Sequence, residues 1–232
     1  LAPMTPDAET WDEHRAWHVL GHLRAIARGD RLNSWREEVL AARSIRDEIR
    51  NGDKNLASKQ EAADRVGHKL HSVGLDGRAL DSSGLRNPSM REHLAVLPAI
   101  MLAILAAPLT LFGSGLMIVI AKVLGDNTDE GLDARTTYHF LAAMLGPMIV
   151  WPLPIAAFIL FAAFGPWALP YTQLILIAIL LPFAFHLSNK LSLVAWDLHI
   201  IARNARKIGQ LNRSSEYQAI VDDTSNILAA LK

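Results

Sequence analysis

Nine histidines and no cysteine make up the reactive inventory of this chain. His14, His18 and His22 recur every fourth residue, with Asp12 and Glu13 beside the first of them. On a helix that spacing stacks the imidazoles on one face, where two His at i and i+4 can hold a metal. The chain has no H-E-x-x-H pattern, no thiol and no evident third ligand. The row is therefore expected to be a partly buried structural stripe, and neither a metal nor another cofactor is expected. His71 and Asp76 enclose four residues across what reads as a helix end. His139 and His186 lie within or at the ends of apolar runs, where an ionisable group is a functional candidate by default. Neither has a carboxylate partner in its run, and both are expected to be structural. Gly113-Ser-Gly115 sits between apolar stretches and predicts a close-packing or bend point rather than a phosphate cradle. No catalytic residue is assigned.

The elements that position these groups divide by charge. The chain has 232 residues, 51% hydrophobic and 20% charged, with zero formal net charge. Residues 1–93 carry 15 Lys/Arg and 15 Asp/Glu, whereas the 54 residues from Thr136 to Asn189 carry none. A hydrocarbon core about 30 Å thick needs about 20 apolar residues per helix, so the uncharged run suits two crossings. Phe164-Gly-Pro-Trp-Ala-Leu-Pro170 divides it. With no basic block, nucleic acid is not an expected partner.

Residues 1–93 predict a soluble helical region. Thr5 and Pro6 suit a helix start, and Trp11, His18, Val19, His22 and Ile26 could share one face. Ser34-Trp-Arg-Glu37, Ser58-Lys-Gln-Glu61 and Ser89-Met-Arg-Glu92 have the capping-box pattern. Trp35, Val39, Ala42, Ile45 and Ile49 follow the first box at helical spacing, and Ala62, Val66, Leu70 and Val73 the second. Residues 75–90, rich in Gly, Asp, Ser and Asn, predict a loop.

Residues 94–189 predict the membrane region. Leu94–Ala121 is uncharged and carries Pro98 and Pro108, which suits either one kinked span or a re-entrant pair of half-helices. Residues 138–164 and 168–188 are expected to be transmembrane helices forming a hairpin. Residues 190–232 predict basic amphipathic helices, with Lys190, Arg203, Arg206, Lys207 and Arg213. The uncharged loop 165–171 is expected away from the cytoplasm, and residues 122–135 and the basic end on the cytoplasmic side. A re-entrant Leu94–Ala121 would make residues 1–93 cytoplasmic as well. The fold class is thus all-α and integral to a membrane.

The opening Leu1-Ala-Pro-Met-Thr-Pro-Asp-Ala-Glu-Thr10 resembles the segment that ends the catalytic domain of the glycerol-3-phosphate/lysophosphatidate acyltransferase family. The order that follows is also similar. It runs from charged helices to a hydrophobic stretch with Leu97-Pro98 and Pro108, a short charged loop before Thr136-Thr-Tyr-His-Phe140, a two-span hairpin and the Ala202–Ile208 basic helix. The resemblance implies the membrane-anchoring C-terminal part of a phospholipid-synthesis enzyme. That enzyme would move an acyl chain from acyl-CoA or acyl carrier protein to a glycerol phosphate acceptor.

The family's H-x4-D base-and-carboxylate pair is then expected upstream of Leu1, on a trimmed or partial chain. His71 and Asp76 match its spacing but fall in the wrong place, and the isolated chain is expected to be inactive. Membrane lipids are the implied partners and a bacterial inner membrane the implied location, with residues 1–93 and 190–232 cytoplasmic. The alternative reading is a non-enzymatic integral membrane adaptor using the Trp/His helix as its binding face. A transporter subunit is disfavoured by the few spans and the lack of charge within them.

Overall fold

Thr10, Ser34 and Ser89 each stop an extended segment and start a helix by the same device. The Thr10 hydroxyl accepts from the Glu13 amide at 3.2 Å, opening α1 (Trp11–Ala27). Ser34 and Glu37 form a complete capping box at the start of α2 (Trp35–Arg50). Ser89 and Glu92 do the same at α5 (Met90–Leu94), where the Glu92 amide donates to Ser89 Oγ and the Ser89 amide to Glu92 Oε2. The box expected at Ser58 does not form. Asp53 captures the Asn55 and Leu56 amides first and nucleates a short α3 (Lys54–Ala57). The Ser58 hydroxyl turns back to the Asn55 carbonyl, and α4 (Gln60–Ser72) begins without a side-chain cap.

The computed structural model describes residues 8–126, 140–141, 144–166 and 168–231. The Thr5-Pro6 start and His139 lie outside them. The chain divides into two units, Leu1–His93 with Ile201–Lys232, and Leu94–Ile200.

In the first unit α1, α2, α4 and α9 (Tyr217–Leu231) enclose one core with the end of α8 (Tyr171–Leu211). Leu20, Leu23, Ile45, Val66, Leu70, Ile208, Ile220 and Ile227 are fully buried there. Each such side chain contributes about 1.5–3 kcal/mol by leaving water. The tryptophans sort differently from the sequence expectation. Trp17 is buried, whereas Trp11 and Trp35 are 74% and 52% exposed. Gly21 allows α1 and α2 to approach closely, since a Cβ there would lie 3.1 Å from that of Ala41. Arg65 on α4 grips Asp223 on α9 through two nitrogens, at 3.2 and 2.8 Å.

Residues 75–90 are more ordered than the expected loop. A 3-10 turn at Gly77–Ala79 leads into an antiparallel pair, β1 (Leu80–Asp81) and β2 (Gly84–Leu85). Leu80 and Leu85 enter the core, and Gly84 takes φ +112°, which only glycine adopts without strain.

Among the described residues three helices are long and apolar enough to cross a membrane. They are α6 (Val96–Asp126), α7 (Met144–Phe164) and α8. The Leu94–Ala121 stretch forms one continuous helix beyond Ala95, with Pro108 inside it, rather than two half-helices. α7 is interrupted by a turn at Trp151, before Pro152. α8 does not end where the charges begin at Lys190 but continues to Leu211.

α6 and α8 run antiparallel. Thr110 bonds Ser192 at 2.9 Å, while Ser114, four residues later, exchanges hydrogen bonds with Asn189, three residues earlier. Phe185 is fully buried at this seam. Its ring lies on Gly113, where a Cβ would come within 2.6 Å of it. Gly113 is therefore the close-packing point, while a Cβ at Gly115 would meet nothing within 4 Å. Phe112 and Trp151 meet Phe185 edge-on at 5.9 and 5.7 Å. Around this seam Ile100, Met101, Ile104, Leu105, Ile118, Ile175 and Phe183 stay exposed, as lipid-facing side chains must.

Candidate functional site

The histidine row of α1 faces a cavity of about 250 Å³ within the first unit. Four-residue spacing places His14, His18 and His22 on consecutive turns, and all three line it. α2 supplies Trp35 and Glu38, the end of α4 supplies His71, and the following turn supplies Asp76 and Gly77. The rings form a ladder. Trp11 meets His14 edge-on at 5.3 Å, His14 and His18 tilt together at 4.6 Å, and His18 stacks on Trp35 at 5.9 Å.

Burial holds these imidazoles neutral. It pushes His18 down to about 4, helped by the neighbouring His14 and His22 and opposed by Asp76. Burial also lowers His14, with Arg15 adding to the effect. His22 is lowered by burial and then by Arg78, against the fields of Glu38 and Asp76. A neutral imidazole offers one donor and one acceptor, and His18 Nε2 is buried without a hydrogen-bond partner among the described residues. Behind the row the buried Glu38 carboxylate lies 3.8 Å from His22 Nε2 and accepts from Arg78 Nε at 2.5 Å. Arg15, at the rim, is held by Asp64 at 2.9 Å and by Asp12.

His71 and Asp76 both reach the cavity, but no hydrogen bond joins them among the described residues. Asp76 Oδ1 accepts from the Arg78 amide at 3.0 Å, capping the 3-10 turn, and its field reaches His18 and His22. The H-x4-D spacing is thus not an assembled base-and-orienter pair. Among the described residues no group of three or more His, Asp and Glu has the geometry to hold a metal. What the cavity can do is accept a proton at a neutral imidazole, or bind a planar group along the aromatic ladder. His186 stands apart, exposed on α8 in the second unit.

Gly77 fixes the His22 ring. A Cβ at this position would fall 2.2 Å from His22 Cδ2, so Gly77→Ala must displace the imidazole. An overpacking cost of about 1–3 kcal/mol is expected, with a changed chemical shift for His22 in the spectrum of the imidazole protons. An unchanged melting temperature and an unmoved His22 signal would show that the turn yields instead.

No family model, curated protein or solved structure matches this chain. Its chemistry must therefore be read from its own residues. The convergence of α1 with Glu38, His71 and Asp76 had no signal in local spacing, because those residues come from three different elements. Arg78 was equally hidden, since only the fold sets it against Glu38.

Proposed function

We propose that this chain anchors a helical domain to a membrane in the service of phospholipid acyl transfer, with acyl-CoA or acyl carrier protein and a glycerol phosphate acceptor used by the catalytic block. The observation that carries the anchoring is the antiparallel pairing of α6 with α8. Residues on both sides of the apolar segments also fold as one unit, as the Arg65–Asp223 and Asn55–Ala230 contacts illustrate. The number of full crossings between them is then even. α6 spans about 46 Å at about 1.5 Å per residue, enough to cross outright. α8 returns beside it. An even count requires α7, broken by the turn at Trp151, to enter and leave by one face; its two parts pack on α6, Gly146 on Met117 and Phe158 on Phe112 at 6.5 Å. Such irregular backbone is tolerated at membrane depth where protein covers it. The acyl-transfer part of the reading rests on the resemblance at Leu1–Thr10 and on the order of elements.

Since the chain has no native cysteine, single-cysteine labelling gives a clean test. Ser58→Cys and Ser215→Cys are expected to react with an impermeant maleimide from one face of sealed vesicles and, against the charge-based expectation for residues 122–135, Lys122→Cys from the other. Labelling of Ser58→Cys and Ser215→Cys from opposite faces would sink the arrangement. For the acyl-transfer reading, the chain is assayed alone with glycerol 3-phosphate or lysophosphatidate and acyl-CoA. Turnover that His71→Ala abolishes would show that it is the enzyme rather than the anchor.

A further inference from the structure

His22 also lines a second cavity, of about 290 Å³, whose walls carry Arg31, Asn33, Arg78, Arg86 and Glu92. All of these belong to the first unit. Three guanidiniums and one carboxylate thus border a single small space. Two of the guanidiniums are only partly engaged. Arg78 uses Nε toward Glu38, and Arg86 meets Glu92 Oε1 at 2.7 Å. The Arg31 side chain has no partner among the described residues, although its backbone is fixed by Asp30 and Asn33.

Glu38 and Glu92 each offset one of the three charges, and Arg31 is left without a counter-ion among the described residues, so the space retains a positive excess that an anion would neutralise. A guanidinium presents five donors in a rigid fork, which matches the paired oxygens of phosphate. Asn33 and the neutral His22 supply further hydrogen-bonding groups without adding charge. Glu92 and Glu38 hold Arg86 and Arg78 in place and leave their remaining N–H groups available.

We infer that the Arg31–Arg78–Arg86 cavity binds a phosphate monoester dianion. The same chemistry is presented by a soluble phosphate and by the headgroup of an anionic lipid such as phosphatidic acid. Neither the apolar helices nor the acyl-transfer reading enters the argument, because every residue in it lies in the first unit.

The test uses the full chain in dodecyl maltoside micelles and calorimetric titration. Inorganic phosphate, dihexanoyl phosphatidic acid and dihexanoyl phosphatidylcholine are the probes. Phosphate and phosphatidic acid are expected to bind, weakening as salt rises, and phosphatidylcholine is not. Arg31→Ala is expected to lower the affinity at least about tenfold, and Arg31→Lys to restore part of it. Because Arg31 is exposed, its melting temperature should be unchanged. Phosphatidic acid binding about tenfold tighter than inorganic phosphate identifies the lipid source, and equal affinities identify the soluble one. Absence of binding by both up to about 10 mM would overturn the inference, as would an affinity that Arg31→Ala leaves unaltered.

Discussion

Phe185→Ala is expected to loosen the α6–α8 seam by about 3–5 kcal/mol, the cost of removing a fully buried aromatic ring. The ring lies on Gly113 and meets Phe112 and Trp151 edge-on, so its loss opens a gap bordered by all three residues. Lipid cannot refill such a site well, because van der Waals packing, rather than water exclusion, holds helices together in a membrane. The Thr110–Ser192 and Ser114–Asn189 hydrogen bonds would remain and keep the register. The expected phenotype is therefore a correctly inserted chain that denatures more readily in mixed micelles. Unfolding in a graded sodium dodecyl sulfate titration measures it. A midpoint equal to that of the parent chain would show that the seam does not depend on this ring.

Acid is expected to destabilise the first unit through the α1 histidines. His18 ionises at about 4 in the folded chain and near 6.5 when unfolded. The unfolded state therefore binds more protons between those values. Stability is full above about pH 6.5, falls as the pH drops, and levels off below about 4. His14 and His22 are lowered in the same direction, so their contributions have the same sign, with stability lost as the pH falls below about 6.5. For His18 alone the loss is about 2 kcal/mol, smaller than the full shift implies because solvent screens the part of the ring that is exposed. Asp76 and Glu38 oppose the effect, and Asp76→Asn should steepen it. Melting curves of the full chain from pH 8 to 4 would show the decline, and His18→Phe should flatten it. A parent chain whose melting temperature held constant across that range would contradict neutral burial of the imidazole.

Much of the helical architecture was legible because its signals are local. Ser34 with Glu37 and Ser89 with Glu92 are reciprocal caps whose partners lie three residues away, and both form as read. Ser58 shows how a local signal fails, since Asp53 acts earlier in the chain and starts a turn before Ser58 can cap one. Trp11 and Trp17 differ by six residues and nearly two turns. Their pattern alone did not reveal that the buried ring would be Trp17, because that depends on what α4 and α9 bring against α1. The apolar length of residues 94–121 was clear, yet not whether Pro108 would split it. A proline removes one donor, and the surrounding packing decides whether the helix tolerates it. The continuation of α8 through Lys190 was hidden for a related reason. Charge marks where solvent begins and carries no instruction for a helix to stop. The least legible feature was the cavity itself, since His71, Asp76, Glu38 and Arg78 meet the histidine row only through tertiary packing.

The place of His22 has a thermodynamic consequence. Its imidazole is a wall of both cavities, fixed by Gly77 against its ring and by Glu38 near its nitrogen. Displacing that ring from its seat would enlarge one chamber only by narrowing the other. Whatever occupies either chamber, and shifts that ring or its proton, alters the free energy of occupying its neighbour. By linkage the effect is equal in the reverse direction. A single side chain thereby gives this small helical domain the means to report the filling of one chamber to the other.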